Sequence, residues 1–371
     1  MAQVPPPPLS DRPSPPPQPA QGWYREPREG KPASFWVALF LFLLLLVSAG
    51  LNVLLLVVGV IGSAASATLG TGTVEEDDGL WQLTGVSGDA ESKTRILRIP
   101  IVGAIAEEKS ALIGARGGTV SFVRRALRFA ERDSKTIKGV LLAIDSPGGG
   151  VTASDEIWQA VREFKKRTNI PVHAVFGDLA ASGGYYVAVA CDKITARATT
   201  ITGSIGVILS SYNAAEAAKK LGIEQVNIIS AKTPFKDLLS PLKPVRAEDR
   251  AILTSIVDEM YARFVDVVLQ GRPKLTREQV ETLADGRVYS ASQALDKGLV
   301  DAIGDEADAL SALRDAMSVA SAQVVEPRRR PSLGEMLIGA RATVPGIDAS
   351  LAHVLNSATG PRLLYYWQGG R

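Results

Sequence analysis

The chain has 371 residues, enough for one large or two ordinary domains with a full core. Its formal net charge is +2, so nothing argues for a nucleic-acid partner. A single cysteine, Cys191, excludes an intramolecular disulfide and a cysteine-built zinc site, and two histidines, His173 and His353, leave little for a histidine metal site or a Ser-His-Asp triad.

Residues 1–34 carry eleven of the 22 prolines and cannot build a core, so they read as a disordered or polyproline-like head. Residues 35–62 contain no charged side chain and exceed the roughly 20 apolar residues that span a bilayer. They predict a transmembrane anchor. Arg25, Arg28 and Lys31 precede it, and Glu75, Glu76, Asp77 and Asp78 follow before the next basic residue, Lys93. That asymmetry places the N-terminus in the cytoplasm and the rest of the chain outside the cytoplasmic membrane. Ala65-Ser66-Ala67 resembles a signal-peptide cleavage site, but the apolar run is long for a cleaved signal.

Residues 63–92 read as a small, polar, acidic linker, residues 93–320 as the globular domain and residues 321–371 as a tail. Arg95 to Ile105 predicts a strand. Val120 to Ala130 predicts a helix with Val123, Leu127 and Ala130 on one side. Lys138 to Ile144 is the near-continuous apolar run of a buried parallel strand. Thr152 to Arg167 predicts a helix begun by a Thr152/Asp155 capping box, with Ile157, Val161 and Phe164 inward. Val172 to Phe176 is the next strand. Further strands are expected at Ile194, Ile205 to Leu209 and Val226 to Ile229. A long helix is expected over 247–271, with Ile252, Ile256, Met260, Phe264 and Val267 inward. Shorter helices are expected at Thr276 to Ala284 and Ala291 to Lys297. A strand, Gly304 and a helix over 299–318 complete the domain. Alternating strands and helices, with no internal repeat, imply an α/β fold with a mainly parallel sheet.

The organising stretch is Phe176 to Ala188, F-G-D-L-A-A-S-G-G-Y-Y-V-A. A strand ends there, Ser182 is lifted onto the start of a helix, and Gly183 and Gly184 let backbone come close to a substrate. The same grammar also suits a tight helix–strand packing point. A second glycine turn, Ser146-Pro147-Gly148-Gly149-Gly150, also follows a predicted strand. Backbone N–H groups at two such turns can hold an oxyanion. No phosphate-binding or dinucleotide fingerprint is present. A serine nucleophile needs a base. His173 lies inside a predicted strand and His353 in the tail, so lysine is the natural base, kept neutral by an apolar pocket. Lys232 and Lys236 both lie between a predicted strand and a helix, and the residues alone leave the choice open.

I-D-S-P-G-G-G, D-L-A-A-S-G-G-Y-Y-V-A, T-G-S-I-G-V-I, F-K-D-L-L-S-P and the closing G-R-V-Y-S-A-S-Q-A-L-D-K-G-L-V-D at 286–301 occur in this order. Over roughly residues 94–320 the chain closely resembles the signal peptide peptidase A family of serine-lysine peptidases (S49 type), in its short single-repeat form. The resemblance implies a crotonase/Clp-protease-like α/β fold preceded by one transmembrane helix. It implies Ser182 as nucleophile, Lys236 as general base and Ser204 as the hydroxyl that orients the lysine. Gly149 and Gly183 become the oxyanion donors, with Gly148 the neighbouring candidate. The side chain of Asp237 is expected to point away from Lys236. The implied substrates are hydrophobic peptides such as signal-peptide remnants. The implied assembly is a ring-shaped homo-oligomer whose sites take serine and lysine from adjacent subunits, with no metal or cofactor. Two rival readings are an acyl-CoA enzyme of the crotonase fold, which has no use for a serine–lysine pair, and a catalytically inactive membrane-anchored scaffold that recruits partners through the head and the aromatic tail Pro361 to Trp367.

Overall fold

The computed structural model describes residues 40–50, 81–107, 118–329 and 362–366. Of the expected anchor, the described part is helix α1 (40–50), and the remainder of 35–62 lies outside the described residues, as does the proline-rich head. Among the described residues no helix is long and apolar enough to cross a membrane.

The remaining elements follow in chain order. They are β1 (Trp81–Gly88), β2 (Arg95–Val102), α2 (Thr119–Arg132), β3 (Ile137–Ser146), β4 (Gly148–Gly150), α3 (Val151–Thr168), β5 (Val172–Ala181), α4 (Gly183–Ala188), β6 (Lys193–Ala196), β7 (Ile201–Gly203) and β8 (Ile208–Ser210). Then come α5 (Ala215–Lys220), α6 (Ala247–Gly271), α7 (Arg277–Leu283), β9 (Val288–Ser290), α8 (Ala291–Asp296), β10 (Ala302–Ile303), α9 (Glu306–Met317), β11 (Gln323–Arg329) and β12 (Arg362–Tyr366). The main sheet runs β1-β11-β2-β3-β5-β6-β10, with β7 also on β5 and β9 on β7. Only β1–β11 and β7–β9 pair antiparallel within it. The mainly parallel α/β architecture expected from the sequence is therefore present.

Strand β3 shows why the sheet forms. Val140, Leu142 and Ile144 project into a core shared with Val123, Ile157, Val161 and Phe164, while Leu141 projects the other way, with Ile96 and Val175, against Leu310 and Leu313 of α9. Helices cover both faces, so the strand reads as one apolar run rather than an alternation. Each such fully buried branched side chain contributes about 1.5–3 kcal/mol. Gly139 lets α9 approach: a Cβ there would lie 2.6 Å from the Met317 sulfur.

The structure departs from the sequence reading at several elements, and of the strand expected at Ile205 to Leu209 only the end is strand, in β8. Strand β1 forms inside the segment read as a linker, and β11 forms inside the tail, where it pairs parallel with β2. Helix α3 starts at an N-cap Gly150 with no side-chain cap, so the Thr152/Asp155 box does not form. Asp155 instead accepts hydrogen bonds from the Tyr186 hydroxyl and from Arg263. Val226 to Ile229 is not a strand, and its side chains reach solvent: Val226 is 76% and Ile228 97% exposed. In α6 only the C-terminal half of the expected stripe is buried, through Phe264 and Val267.

Candidate active site

The site grows from the ends of three adjacent strands. Strand β5 runs straight into Ser182, which caps α4 with φ 53° and ψ −116°. That conformation is strained for any residue bearing a Cβ. It is held from both sides. The Ser182 N–H donates to the Gly203 carbonyl at 2.8 Å, and its own carbonyl accepts from Tyr186 N–H at 2.8 Å. Helix α4 packs tightly behind it: a Cβ on Gly184 would lie 3.0 Å from the Ser146 carbonyl oxygen. Tyr186 ties α4 to α3 through Asp155, to which Arg263 of α6 also donates. Ser182 is 1% exposed.

Parallel pairing of β5 with β7 brings the second serine alongside. Ala181 lies opposite Gly203, so Ser182 and Ser204 each follow a paired residue. Ser204 is buried, has φ 49°, and donates its N–H to the Arg287 carbonyl at 2.8 Å.

The glycine turn closes over the same end of the sheet, because Ser146 lies opposite Ala180. The Ser146 hydroxyl donates to the Gly103 carbonyl at 2.7 Å and accepts the Gly148 N–H at 3.1 Å. Gly148 turns the chain with φ 99°, and its N–H is thereby occupied. Ile105 donates to the Gly148 carbonyl at 2.8 Å and accepts the Gly150 N–H at 2.9 Å. In an extended chain this sends the N–H and carbonyl of Gly149 to the opposite edge. Gly149 must be glycine, since a Cβ would lie 2.0 Å from the Ile105 oxygen. Among the described residues the N–H of Gly183 has no partner.

The edge that Gly149 faces belongs to a second, three-stranded sheet, β4-β12-β8, antiparallel throughout. Beside β8, a cavity of about 380 Å³ opens, lined by Val207, Leu209, Tyr212, Leu239, Leu253 and Val257 among others. The sequence reading missed this sheet. Its strands are three to five residues long, two of them carry no apolar alternation, and β12 is remote in the chain.

Among the described residues no hydrogen bond joins Lys236 to Ser182. The lysine is exposed, lies in a run of turns, and its side chain has no hydrogen bond or ion pair among the described residues. Lys232 is exposed as well. The Asp237 carboxylate does point elsewhere, to Lys243 and Arg246, and the Lys243 hydrogen bond holds it below the usual carboxylate range.

Cys191 and His173 fall away as nucleophile or base, and His353 lies outside the described residues. Burial pushes the Cys191 thiol up to about 12, so no thiolate exists at neutral pH. His173 stands nine residues before Ser182 in one strand, roughly 25–30 Å away at strand rise. It is buried, and desolvation lowers its pKa. Among the described residues no cluster of His, Cys, Asp or Glu could hold a metal ion.

Residues 164–320 match the model of peptidase family S49. Aligned over 292 residues, the chain is 34% identical to a putative signal peptide peptidase SppA of Enterococcus faecium, covering 76% of this chain and 83% of that protein. It is 40% identical over 218 residues to the putative protease slr0021 of Synechocystis, covering 59% of this chain and 73% of the relative. It is 33% identical over 236 residues to the chloroplastic serine protease SPPA of Arabidopsis thaliana, covering 62% of this chain but 34% of that longer protein.

Proposed function

We propose, for a chain that belongs to peptidase family S49 and is a serine peptidase, that Ser182 is the nucleophile and Lys236 its general base. The observation that carries this is the strained Ser182, held between β7 and α4 beside Ser204 and facing the turn that presents Gly149. In this reading Lys236 removes the Ser182 proton, and Ser182 Oγ attacks the peptide carbonyl. The backbone N–H groups of Gly149 and Gly183 hold the oxyanion. Lys236 then protonates the leaving amine, and water hydrolyses the acyl-enzyme. Ser204 orients the lysine. Gly148 shapes the turn instead of donating, because Ser146 occupies its N–H.

The exposure of Lys236 supports a site completed by a second copy of the chain. Around it the segment 211–246 exposes Tyr212, Leu221, Val226 and Ile228, each more than 70% accessible. Covering that surface would also remove water from the Lys236 amine and favour its neutral form. A ring-shaped homo-oligomer satisfies both requirements. The substrates are hydrophobic peptides, signal-peptide remnants among them, which would lie along β4 and β8 next to the cavity, whose lining is mixed, with Val207, Leu209, Leu253 and Val257 beside Ser240 and Arg250. Residues 35–62 anchor the chain in the cytoplasmic membrane, with the N-terminus inside and the catalytic unit outside, so enzyme and substrate share one surface. No cofactor takes part. The scaffold alternative predicts no hydrolysis, and the acyl-CoA alternative predicts turnover that does not depend on Lys236.

The test is hydrolysis of an apolar signal-peptide fragment by the full chain in detergent. Ser182→Ala and Lys236→Ala are each expected to lower kcat at least 1000-fold. Full activity in Ser182→Ala would overturn the assignment.

A further inference from the structure

Lys236 sits in a run of turns closed by short-range backbone hydrogen bonds: its own N–H donates to the Thr233 carbonyl, Leu238 N–H to that of Phe235 and Ser240 N–H to that of Asp237. No sheet ladder or regular helix holds this run. One side chain grips it on both sides of the lysine. Arg246 is the N-cap of α6. Its Nη1 and Nη2 each donate to the Pro234 carbonyl at 3.2 Å, and its guanidinium lies over the Phe235 ring, 5.2 Å from the centroid. Nη2 also donates to Asp237 Oδ1 at 3.4 Å. Residues 234, 235 and 237 are thus tied to one group, and Lys236 stands between them.

The grip is itself braced. Arg246 Nε donates to Asp249 Oδ1 at 2.9 Å, and the Asp249 side chain is 4% exposed. Both residues open α6, whose far half is seated in the core: Phe264 is fully buried and packs on Tyr186 of α4 with ring centroids 4.9 Å apart. Lys243 donates to the other Asp237 oxygen at 2.5 Å, so that carboxylate is engaged by two cations. A carboxylate released beside an amine would favour the protonated amine, which is no base. We propose that Arg246 is the positioning residue of the general base, fixing the backbone at Lys236 and holding Asp237 away from it. The inference rests on the reading of Lys236 as the base, and it holds whichever chain supplies the serine, because every contact of the grip lies within the chain that carries the lysine.

The experiment uses the full chain in detergent and compares wild type, Arg246→Lys, Arg246→Ala, Lys236→Ala and the double variant of Lys236→Ala with Arg246→Ala. Hydrolysis of an apolar fluorogenic peptide gives kcat and KM, and urea unfolding and sedimentation report fold and assembly. Arg246→Lys keeps a cation beside the two carboxylates, so fold and assembly are expected to match wild type. Its single ammonium cannot span Pro234, Asp237 and Asp249 or stack on Phe235, so kcat is expected to fall about 10-fold with KM within about twofold. Arg246→Ala is expected to lower kcat about 100-fold. In the double variant the residual hydrolysis of Lys236→Ala is expected to fall no further, because Arg246 acts only through the lysine. Wild-type kcat in Arg246→Lys overturns the inference. So does a loss that comes with a lower urea midpoint or a dissociated assembly in both arginine variants, which would make Arg246 a residue of the fold, and so does a further loss in the double variant. If Lys236→Ala is inactive while these results go against Arg246, the base reading stands without it. Wild-type kcat in Lys236→Ala overturns the base reading and the inference together.

Discussion

At Ser182 the fold holds a side-chain-bearing residue at φ 53° and ψ −116°, a region where glycine is at ease. Such strain costs of order 1–3 kcal/mol. Its hydroxyl makes no hydrogen bond among the described residues, so replacing it forfeits little. Ser182→Gly is therefore expected to stabilise the catalytic unit by about 1 kcal/mol in urea unfolding while abolishing hydrolysis. Ser182→Ala, which keeps the Cβ, is expected to leave stability within about 0.5 kcal/mol of wild type. A glycine variant less stable than wild type would show that the backbone at this position is not strained. His173 carries a second prediction. Its pKa is lowered by burial from 6.5, opposed by Asp192 and Asp301 and reinforced by Lys193 and Lys165. The unfolded chain then binds the proton first. Stability is full above pH 6.5 and declines as pH falls through that value toward the lower folded-state one. His173→Gln removes this contribution, so the difference in unfolding midpoint between the two proteins should change between pH 7.5 and 5.5. A constant difference would remove the assignment. The glycines at 148, 149 and 183 and the serine at 182 were all visible in the sequence, since their small size and order survive without coordinates. The hydroxyl of Ser146, which occupies the Gly148 N–H, was not, because nothing in a serine codon-by-codon reading says which way its Oγ turns.

The elements divide by how locally they are determined. Strand β3 and helices α2 and α3 were legible because a run of branched residues or a 3.6-residue stripe carries its own signal. Strands β1, β11 and β12 were not, since each exists only by pairing with a partner far away in sequence. Val226 to Ile229 is the opposite error: the residues favour a strand, but no described strand pairs with them. In the proposed ring the exposed apolar side chains of 211–246 form the surface that another copy covers. Ile228, 97% exposed, is the sharpest probe. In an isolated chain Ile228→Glu should alter stability by less than about 0.5 kcal/mol. If the surface is an interface, the same substitution buries a charge and should shift the sedimentation profile toward monomer, with peptide hydrolysis falling in parallel. An unchanged profile would detach this segment from assembly.

For the whole molecule, the open question is which chain supplies the base to a given serine. A heterologous contact repeated around a closed ring puts the same surface of each copy against the same different surface of the next. Exposed Lys236 and buried Ser182 are suited to such a contact, the lysine in an exposed run of turns and the serine at the end of β5. The two arrangements separate on mixing. On the proposed assignment Ser182→Ala and Lys236→Ala are each inactive, whichever arrangement holds. If both groups of a site come from one chain, every mixture is inactive too. If they come from neighbours, a mixed ring contains sites where an intact serine from one variant meets an intact lysine from the other. With equal amounts and random exchange, half of the sites have the serine and half of those the lysine, so about a quarter of wild-type activity is expected. The value should trace a parabola in the mixing ratio, highest at equal amounts and zero at both ends. Activity that stays at zero after subunit exchange, with exchange shown independently by labelled chains, would place serine and lysine on the same chain and require the segment around Lys236 to fold inward.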